Sequence, residues 1–416
     1  MGGGIVLGSA ASYALAGCGT QNSAAEAEGT VEMWVYPLIG VGNADQVLWN
    51  KIAADFHKKN PKVQVTVQIQ PWDNRVEKLT AALAAHRGPD VWYINPEDII
   101  NHAQHHRLED LGAVLTAQDR KDYYASSLES TSWNSKTWAI PLLTDVNSTF
   151  WNTAVFKEAG IDSYPKTWKE VMAVAPKLKA KGYYVLQIDP TDAEDEFYPY
   201  IFQAGGTLFS PDGKKCVLNS SACVSAMQFV ADLVKQKYAV VTTASQTGVP
   251  VTETPLGRQQ VAMGVNNVDN SGIVQLEQAW KANNVRVAPP LTDKSSKAIG
   301  TVGGLAVSTQ AKSVAAAKAW VKYVTSPTVQ AHVDKSTSYF SPRKSQNGLY
   351  PQSTQLGQLE TFLPRVVATP MNLYARQVSD DILSAQMEAV FAGEKSAKEA
   401  MDAAASQANS LMAGNS

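Results

Sequence analysis

Three of the six histidines, His102, His105 and His106, lie close together, and His102 and His106 stand four residues apart with Glu109 nearby. That spacing could place two imidazoles on one helix face for zinc. The run NHAQHHRLED has the polarity of a solvated helix end, so no metal is expected there. A second cluster, Asp189, Asp192, Glu194, Asp195 and Glu196, could hold calcium or supply the two carboxylates of a glycosidase. It lacks the sixth-position Gly of an EF-hand and reads as a solvated acidic loop. Gly40-Val41-Gly42 lacks the third Gly of a dinucleotide fingerprint. No G-x-S-x-G, Walker A or C-x-x-C pattern occurs, and no cofactor is expected. An enzyme acting on carbohydrate through its acids stays open, as does a receptor for peptide or metal.

The elements that would position these residues alternate between strand and helix. Val31 to Tyr36 reads as a buried strand, followed by a helix from Ala44 to Lys59 with Val47, Leu48, Ile52 and Phe56 on one face. Val63, Val65, Val67 and Ile69 alternate with polar residues, as a half-buried strand does. Trp72-Asp73-Asn74 begins a helix running to about His86, and Asp90 to Ile94 is a short strand. Asn95-Pro96-Glu97-Asp98 supplies a helix N-cap, a Pro in the first turn and two acids behind it. Thr167 with Glu170 forms a capping box. Beyond it come a strand to Ile188, a helix from Glu196 to Gln203 and an amphipathic helix from Ser221 to Tyr238. Such alternation argues for an α/β arrangement with loops at strand ends forming a crevice.

At 416 residues the chain has room for two domains, and 44% apolar against 18% charged residues fits an ordinary globule. Thirty-six basic residues face 38 acidic ones, so no field favours nucleic acid or an anionic surface. Ten Trp and fifteen Tyr supply flat rings that suit the apolar faces of sugars, although any single ring is equally a core residue.

Gly3 to Ala16 is apolar and too short to span a bilayer, and it ends in Leu15-Ala16-Gly17-Cys18, which resembles a bacterial lipobox. Cys18 would then carry lipid and tether the protein to a membrane, with a small-polar linker to Gly29. No Lys or Arg precedes Lys51, so the expected true start lies upstream or the leader is shortened. With Cys18 so assigned, Cys216 and Cys223 are the remaining pair, and their spacing allows a disulfide in an exported protein. Closing that loop would contribute roughly 2 to 3 kcal/mol in the chain-entropy model.

The stretch from Ser132 to Lys181 brings several motifs together in one order. Pro141 is followed by Asp145, then Trp151-Asn152, Ala159-Gly160-Ile161, and Pro165 with Thr167-Trp168. This order resembles the middle of family 1 of the extracellular solute-binding proteins of sugar ABC transporters, the group that includes maltose-binding protein. Gly205-Gly206, Ala262-Met263, Gly303 to Val307 and Tyr339 to Arg343 extend the resemblance over residues 30 to 412.

The resemblance implies a class II, two-lobed periplasmic-binding-protein-like fold with a ligand cleft between lobes joined by three crossings. Residues 1–29 would be signal peptide, lipobox and linker, residues 30–141 with 303–340 the first lobe, and 142–302 with 341–416 the second. It implies a monomer that takes a carbohydrate ligand, an oligosaccharide above all, from outside the cytoplasm and hands it to ABC permease subunits unchanged. Carried over position by position, it points to Asp145 on the first crossing and to Asn95, Glu97 and Asp98 after the strand ending at Ile94. Asp195 and Glu196 before the Gly-Gly helix stop, Asn267 and Asp269 after Ala262-Met263, and Tyr339 and Tyr374 complete the matched positions. Tyr36 and Trp72 join them by loop position alone. Carboxylates suit such a cleft because a charged oxygen accepts hydroxyl hydrogen bonds strongly.

Overall fold

A computed structural model describes residues 1–2, 27–39, 42–242, 251–265, 270–367 and 371–414. Cys18, Asn267 and Asp269 lie outside the described residues.

The chain begins with β1 (Gly29–Val35), α1 (Ala44–Lys59), β2 (Val63–Ile69), α2 (Arg75–Ala84), β3 (Val91–Ile94) and α3 (Pro96–Gln104). In β2 the three valines are buried and the residues between them exposed, so the alternation read from sequence is the alternation observed. The buried face of α1 is Leu48, Trp49, Ile52 and Phe56, whereas Val47, expected there, is 59% exposed. Leu48, Ile52 and Phe56 follow the helical repeat within an arc of about 80°, and Val47 lies about 100° from Leu48 on the side away from them. Short helices α4 (Ala117–Asp122) and α5 (Ala125–Glu129) lead to a hairpin of β4 (Ser132–Trp133) and β5 (Lys136–Thr137), and then to β6 (Ile140–Thr144).

The chain continues through β7 (Thr149–Asn152), α6 (Thr153–Glu158), α7 (Trp168–Ala180), β8 (Leu186–Ile188), α8 (Ala193–Gln203) and α9 (Ser221–Lys235). The capping box is formed: Thr167 Oγ1 accepts from the Glu170 N–H, and the Glu170 carboxylate accepts from the Thr167 N–H at 3.1 Å. Next come β9 (Ala239–Val241), β10 (Met263–Val265), α10 (Asn270–Trp280), β11 (Val285–Ala288), β12 (Ala298–Ile299) and β13 (Val302–Val307). The rest is α11 (Val314–Val324), α12 (Pro327–Thr337), α13 (Gln355–Glu360), β14 (Val366–Val367), α14 (Ala375–Gln377), α15 (Ser384–Phe391) and α16 (Ala397–Gly414).

Two bodies of sheet and helix result. The first holds a five-stranded sheet in the order β2-β1-β3-β13-β6, in which β1, β2 and β3 run parallel and β13 runs against its neighbours. Its residues alternate between two cores. Met33, Val35, Tyr93 and Leu305 join Phe56 and Trp320 on one side, while Trp34, Trp92, Ile94 and Ala306 join Leu83 and Ile99 on the other. Pro141 sits in the edge strand β6, where a residue without an N–H is tolerated. The second body has the antiparallel sheet β10-β7-β11, with Trp151 facing a helical core built on α7, α8, α9 and α16, and Phe150 facing a smaller one beneath Trp280. The chain leaves the first sheet at Thr144 and enters the second at Thr149, so the passage lies just beyond Pro141.

Three expectations are corrected. Cys216 and Cys223 are free, buried thiols. Asn409 grips Cys216 by both its N–H and its carbonyl at 2.9 Å, while the Cys223 thiol is engaged by Ser220 Oγ at 3.1 Å and the Thr207 carbonyl at 3.5 Å. The acidic loop is shorter than expected: α8 starts at Ala193, with the Asp192 side chain accepting the Asp195 N–H, so Glu194, Asp195 and Glu196 occupy its first turn. Carboxylates there oppose the positive end of the helix dipole. His102 is 2% exposed, edge-on to Trp92, rather than solvated, and burial followed by the charge of Arg107 lowers its pKa to about 4. Among the described residues no helix is long and apolar enough to cross a membrane, and no group of three or more His, Cys, Asp or Glu could hold a metal ion.

Candidate functional site

The ends of the parallel strands open toward the second body, as crevices do in open α/β sheets. Tyr36 follows β1, Trp72 follows β2 and Asn95 follows β3. The Trp72 and Tyr36 rings stack at 4.6 Å, and Tyr93 meets both edge-on. Trp72 Nε1 donates to the Pro37 carbonyl at 3.0 Å, which holds the indole upright. Asn95 stands at the N-cap position of α3, yet its side chain does not cap the helix; its Nδ2 donates to Glu97 Oε1 at 3.1 Å. The same Glu97 oxygen is paired with Arg75 at 3.3 Å, and the Arg75 guanidinium lies over the Trp72 ring.

A cavity of about 300 Å³ sits where these strand ends meet the passage between the bodies. Trp72, Tyr93 and Asn95 line it from the first body, Asp195 from the second, and Asp145, Asn147, Thr301 and Tyr339 from the connecting segments. Asp145 is 6% exposed, and its Oδ1 accepts the Thr301 N–H at 2.5 Å. Asn147 donates to Asp195 Oδ1 at 3.4 Å, linking a connecting segment to α8. The Oδ1 atoms of Asn95 and Asn147 are buried and find no donor among the described residues. Such orphaned acceptors carry a desolvation cost that a hydroxyl-bearing ligand would relieve.

Of the residues expected from sequence, Trp72, Asn95, Asp145, Asp195 and Tyr339 line this cavity together. Glu97 lines a neighbouring space of about 110 Å³ with Asp192, Glu194 and Arg376. Tyr36 and Asp98 line a separate, very small space with Arg75, Tyr93 and Asn95. Burial, together with the charge of Glu97, raises the Asp98 carboxyl to about 6, and Arg376 of α14 pairs with it at 3.5 Å across the two bodies. Tyr374 lines a larger outer chamber. Glu196 is not brought to the cavity: it is 5% exposed, on the buried side of α8 beside Tyr200. Sequence reasoning missed Asn147, Tyr93, Thr301 and Arg376. Asn147 stands two residues from Asp145 in the polar patch before Trp151, and that extended i, i+2 spacing was the available signal.

A family model for the bacterial extracellular solute-binding proteins matches residues 43–331. The chain belongs to this family. Among related solute-binding proteins, the diacetylchitobiose-binding protein DasA of Streptomyces coelicolor is 27% identical over 194 residues, 46% of this chain and 43% of that one. The arabinooligosaccharide-binding protein of Bacillus subtilis is 23% identical over 240 residues, 56% of this chain and 54% of that one. Matches to three Brucella binding proteins span 40% of this chain and 41% of each of them. The chain thus matches about half or less of these relatives' lengths. In three dimensions, the sugar-binding protein MalE of Xanthomonas citri superposes with a TM-score of 0.80 at 22% identity, covering 93% of this chain and 98% of that one. The GacH receptor of Streptomyces glaucescens superposes at 0.77 with 24% identity, covering 92% and 98%. The α/β fold expected for a solute-binding protein of this kind is therefore the fold observed.

Proposed function

We propose that this solute-binding protein is the capture component of an ABC importer and that its ligand is a carbohydrate, an oligosaccharide above all. The observation that carries this reading is the 300 Å³ cavity between the two bodies, where acceptor-rich side chains, Asp145, Asn147, Asp195 and Asn95, share the lining with Trp72. A sugar is dense in hydroxyl donors and has flat apolar faces, and this wall answers both. The two bodies act as lobes: ligand contacts from each exist together only when the cleft is closed, so binding shifts the equilibrium to the closed form. The closed form then docks on permease subunits and releases the sugar unchanged. Cys18 carries the lipid that keeps the monomer outside the cytoplasm beside its permease.

Calorimetry of the purified protein against mono-, di- and trisaccharides tests the reading. Saturable binding of at least one sugar, recovered intact after incubation, is expected. Conversion of the sugar would favour a carbohydrate-acting enzyme instead. Binding of peptides alone would overturn the ligand class.

A further inference from the structure

The cavity beside Trp72 is one-sided in charge. Two carboxylates line it, Asp145 from the passage and Asp195 from α8, and among the described residues no Lys, Arg or His shares that lining. Acids continue around it. Glu97 accepts from the Asn95 side chain at 3.1 Å, and Glu194 stands directly before Asp195 in the first turn of α8. The cations of this region are engaged with acids of their own: Arg75, over the Trp72 ring, pairs with Glu97 at 3.3 Å, and Arg376 pairs with Asp98 and with Asp380, each at 3.5 Å.

Donors and acceptors are matched as unevenly. Trp72 Nε1 already donates to the Pro37 carbonyl, Asn95 Nδ2 to Glu97 and Asn147 Nδ2 to Asp195. The carboxylates fix which way the two amides are turned, because an ionised carboxylate only accepts and an amide oxygen has no hydrogen to offer it. Each amide Oδ1 is thereby left buried and without a donor among the described residues, and Asn147 as a whole is 5% exposed. The other polar side chains of the lining are the hydroxyls of Tyr93, Thr301 and Tyr339, which can donate or accept. The wall therefore carries a surplus of acceptors together with a surplus of negative charge.

A sugar hydroxyl answers such a wall only in part. It brings one donor, two lone pairs that themselves ask for donors, and no charge. A protonated amine brings three donors, no acceptor and a positive charge. Hydrogen bonds with an ionised partner are also the stronger ones. We infer that the ligand is an amino sugar whose ammonium group sits in this cavity against the carboxylates of Asp145 and Asp195, with the Asn147 amide oxygen as a further acceptor. The inference rests on the carbohydrate reading and narrows it to a sugar with at least one unacetylated amine.

Titration calorimetry with trios of sugars that differ only at the second carbon is the test. The trios are glucosamine, N-acetylglucosamine and glucose, each as the monosaccharide and as the β-1,4-linked dimer, and the same three forms in the galactose series; spermidine is the amine that is not a sugar. In at least one trio the amine member binds about tenfold or more tightly than both counterparts. Asp195→Asn keeps an oxygen for the Asn147 amide and removes the charge, so it narrows that gap to about threefold or less, with a thermal melt to show that the variant is folded. Should that variant fail to fold, Asp145→Asn makes the same comparison. A neutral member that binds as tightly as its amine counterpart overturns the inference and leaves the carbohydrate reading standing, and so does a ligand found in the wider sugar screen when no amino sugar binds. A gap that persists in full in the folded Asn variant overturns the placement of the amine. Binding of spermidine with no sugar of any kind bound overturns the inference and the carbohydrate reading together.

Discussion

Replacing Asp145 by Asn and by Ala separates charge from support. Its Oδ1 accepts the Thr301 N–H at 2.5 Å, and the whole residue is 6% exposed, so the carboxylate both braces a connecting segment and faces the cavity. Asn at this position keeps a carbonyl oxygen for Thr301 and loses the charge. A hydrogen bond to a charged group contributes about 1.5 to 3 kcal/mol and a neutral one about 0.5 to 1.5. The difference, about 1 to 1.5 kcal/mol, weakens sugar binding roughly five- to tenfold, because 1.4 kcal/mol is tenfold in Kd. Ala loses the full contact and weakens binding by roughly tenfold to over a hundredfold, and it also leaves the Thr301 N–H without its acceptor. Calorimetry with the best sugar from the screen measures the first effect, and thermal melts of the unliganded variants measure the second. Asn is expected to melt close to wild type and Ala several degrees lower. An Asn variant that binds within twofold of wild type would refute a charged contact with the ligand.

Asn147→Ala removes an oxygen that is buried without a donor among the described residues together with the long 3.4 Å hydrogen bond to Asp195, two opposing effects on stability, so it should weaken sugar binding about tenfold while the unliganded melting temperature changes little; a lowered melt with intact affinity would make Asn147 structural. Trp72→Ala should lower both affinity and melting temperature, because the ring lines the cavity and also stacks on Tyr36; an unchanged affinity would leave it a core residue only. His102 takes up its proton near pH 4 when folded and near 6.5 when unfolded, so the unfolded state binds more protons between these values and stability falls as pH drops through that window, by about 3 kcal/mol in all. Asp98, raised to about 6, works against this between pH 6 and 4, so His102→Leu should melt less steeply with acid than wild type, and an unaltered acid slope would sink the assignment. Cys18→Ala should release the protein from detergent-extracted membranes into the medium; a wild type already free in the medium would rule out the anchor.

What could be read in the sequence was local. The valines of β2 alternate because one face of a strand is buried, and Thr167 with Glu170 caps α7 because each satisfies the other's N–H. These signals lie within a few residues of one another. The cavity is assembled otherwise. Thr301 meets Asp145 across 156 residues, and Asn147 meets Asp195 across 48. Motif order brought out Asp145 on the passage and Asp195 near the start of α8, but not the direction of each side chain. Glu196 follows Asp195 directly, and one step along a helix turns a side chain by about 100°, which carries it from the cavity side into the core. His102 was misread for a related reason: a polar composition describes the average of a helix, and His102 lies on its buried face, with Ile99 and Ala103.

The placement of the site on the connecting segments explains how binding and closure can be one event. Backbone hydrogen bonds lace these segments together: Thr144 exchanges a pair with Phe340 at 2.9 and 2.8 Å, the Asp145 N–H donates to the Thr301 carbonyl at 3.2 Å, and the Asn147 N–H donates to the Ile299 carbonyl at 2.9 Å. Two glycines permit this approach. A side chain on Gly300 would collide with the Asp145 carbonyl, and one on Gly303 with the Tyr93 phenol. The segments around Asp145, Thr301 and Phe340 therefore form a close braid with little room for bulk, and Asp145, Asn147, Thr301 and Tyr339 line the cavity from that braid. Under the proposed closure, a ligand held there would touch the segments whose torsions change as the bodies approach, and differential contact with the open and closed forms would shift the balance between them. Ligand groups bound only by Trp72 or Tyr93 would add affinity without bias, since those rings belong to one body. Under the proposed closure, contacts on the braid itself are the ones that would distinguish the two forms, so substitution at Asn147 should reduce closure more than a substitution of equal cost at Trp72.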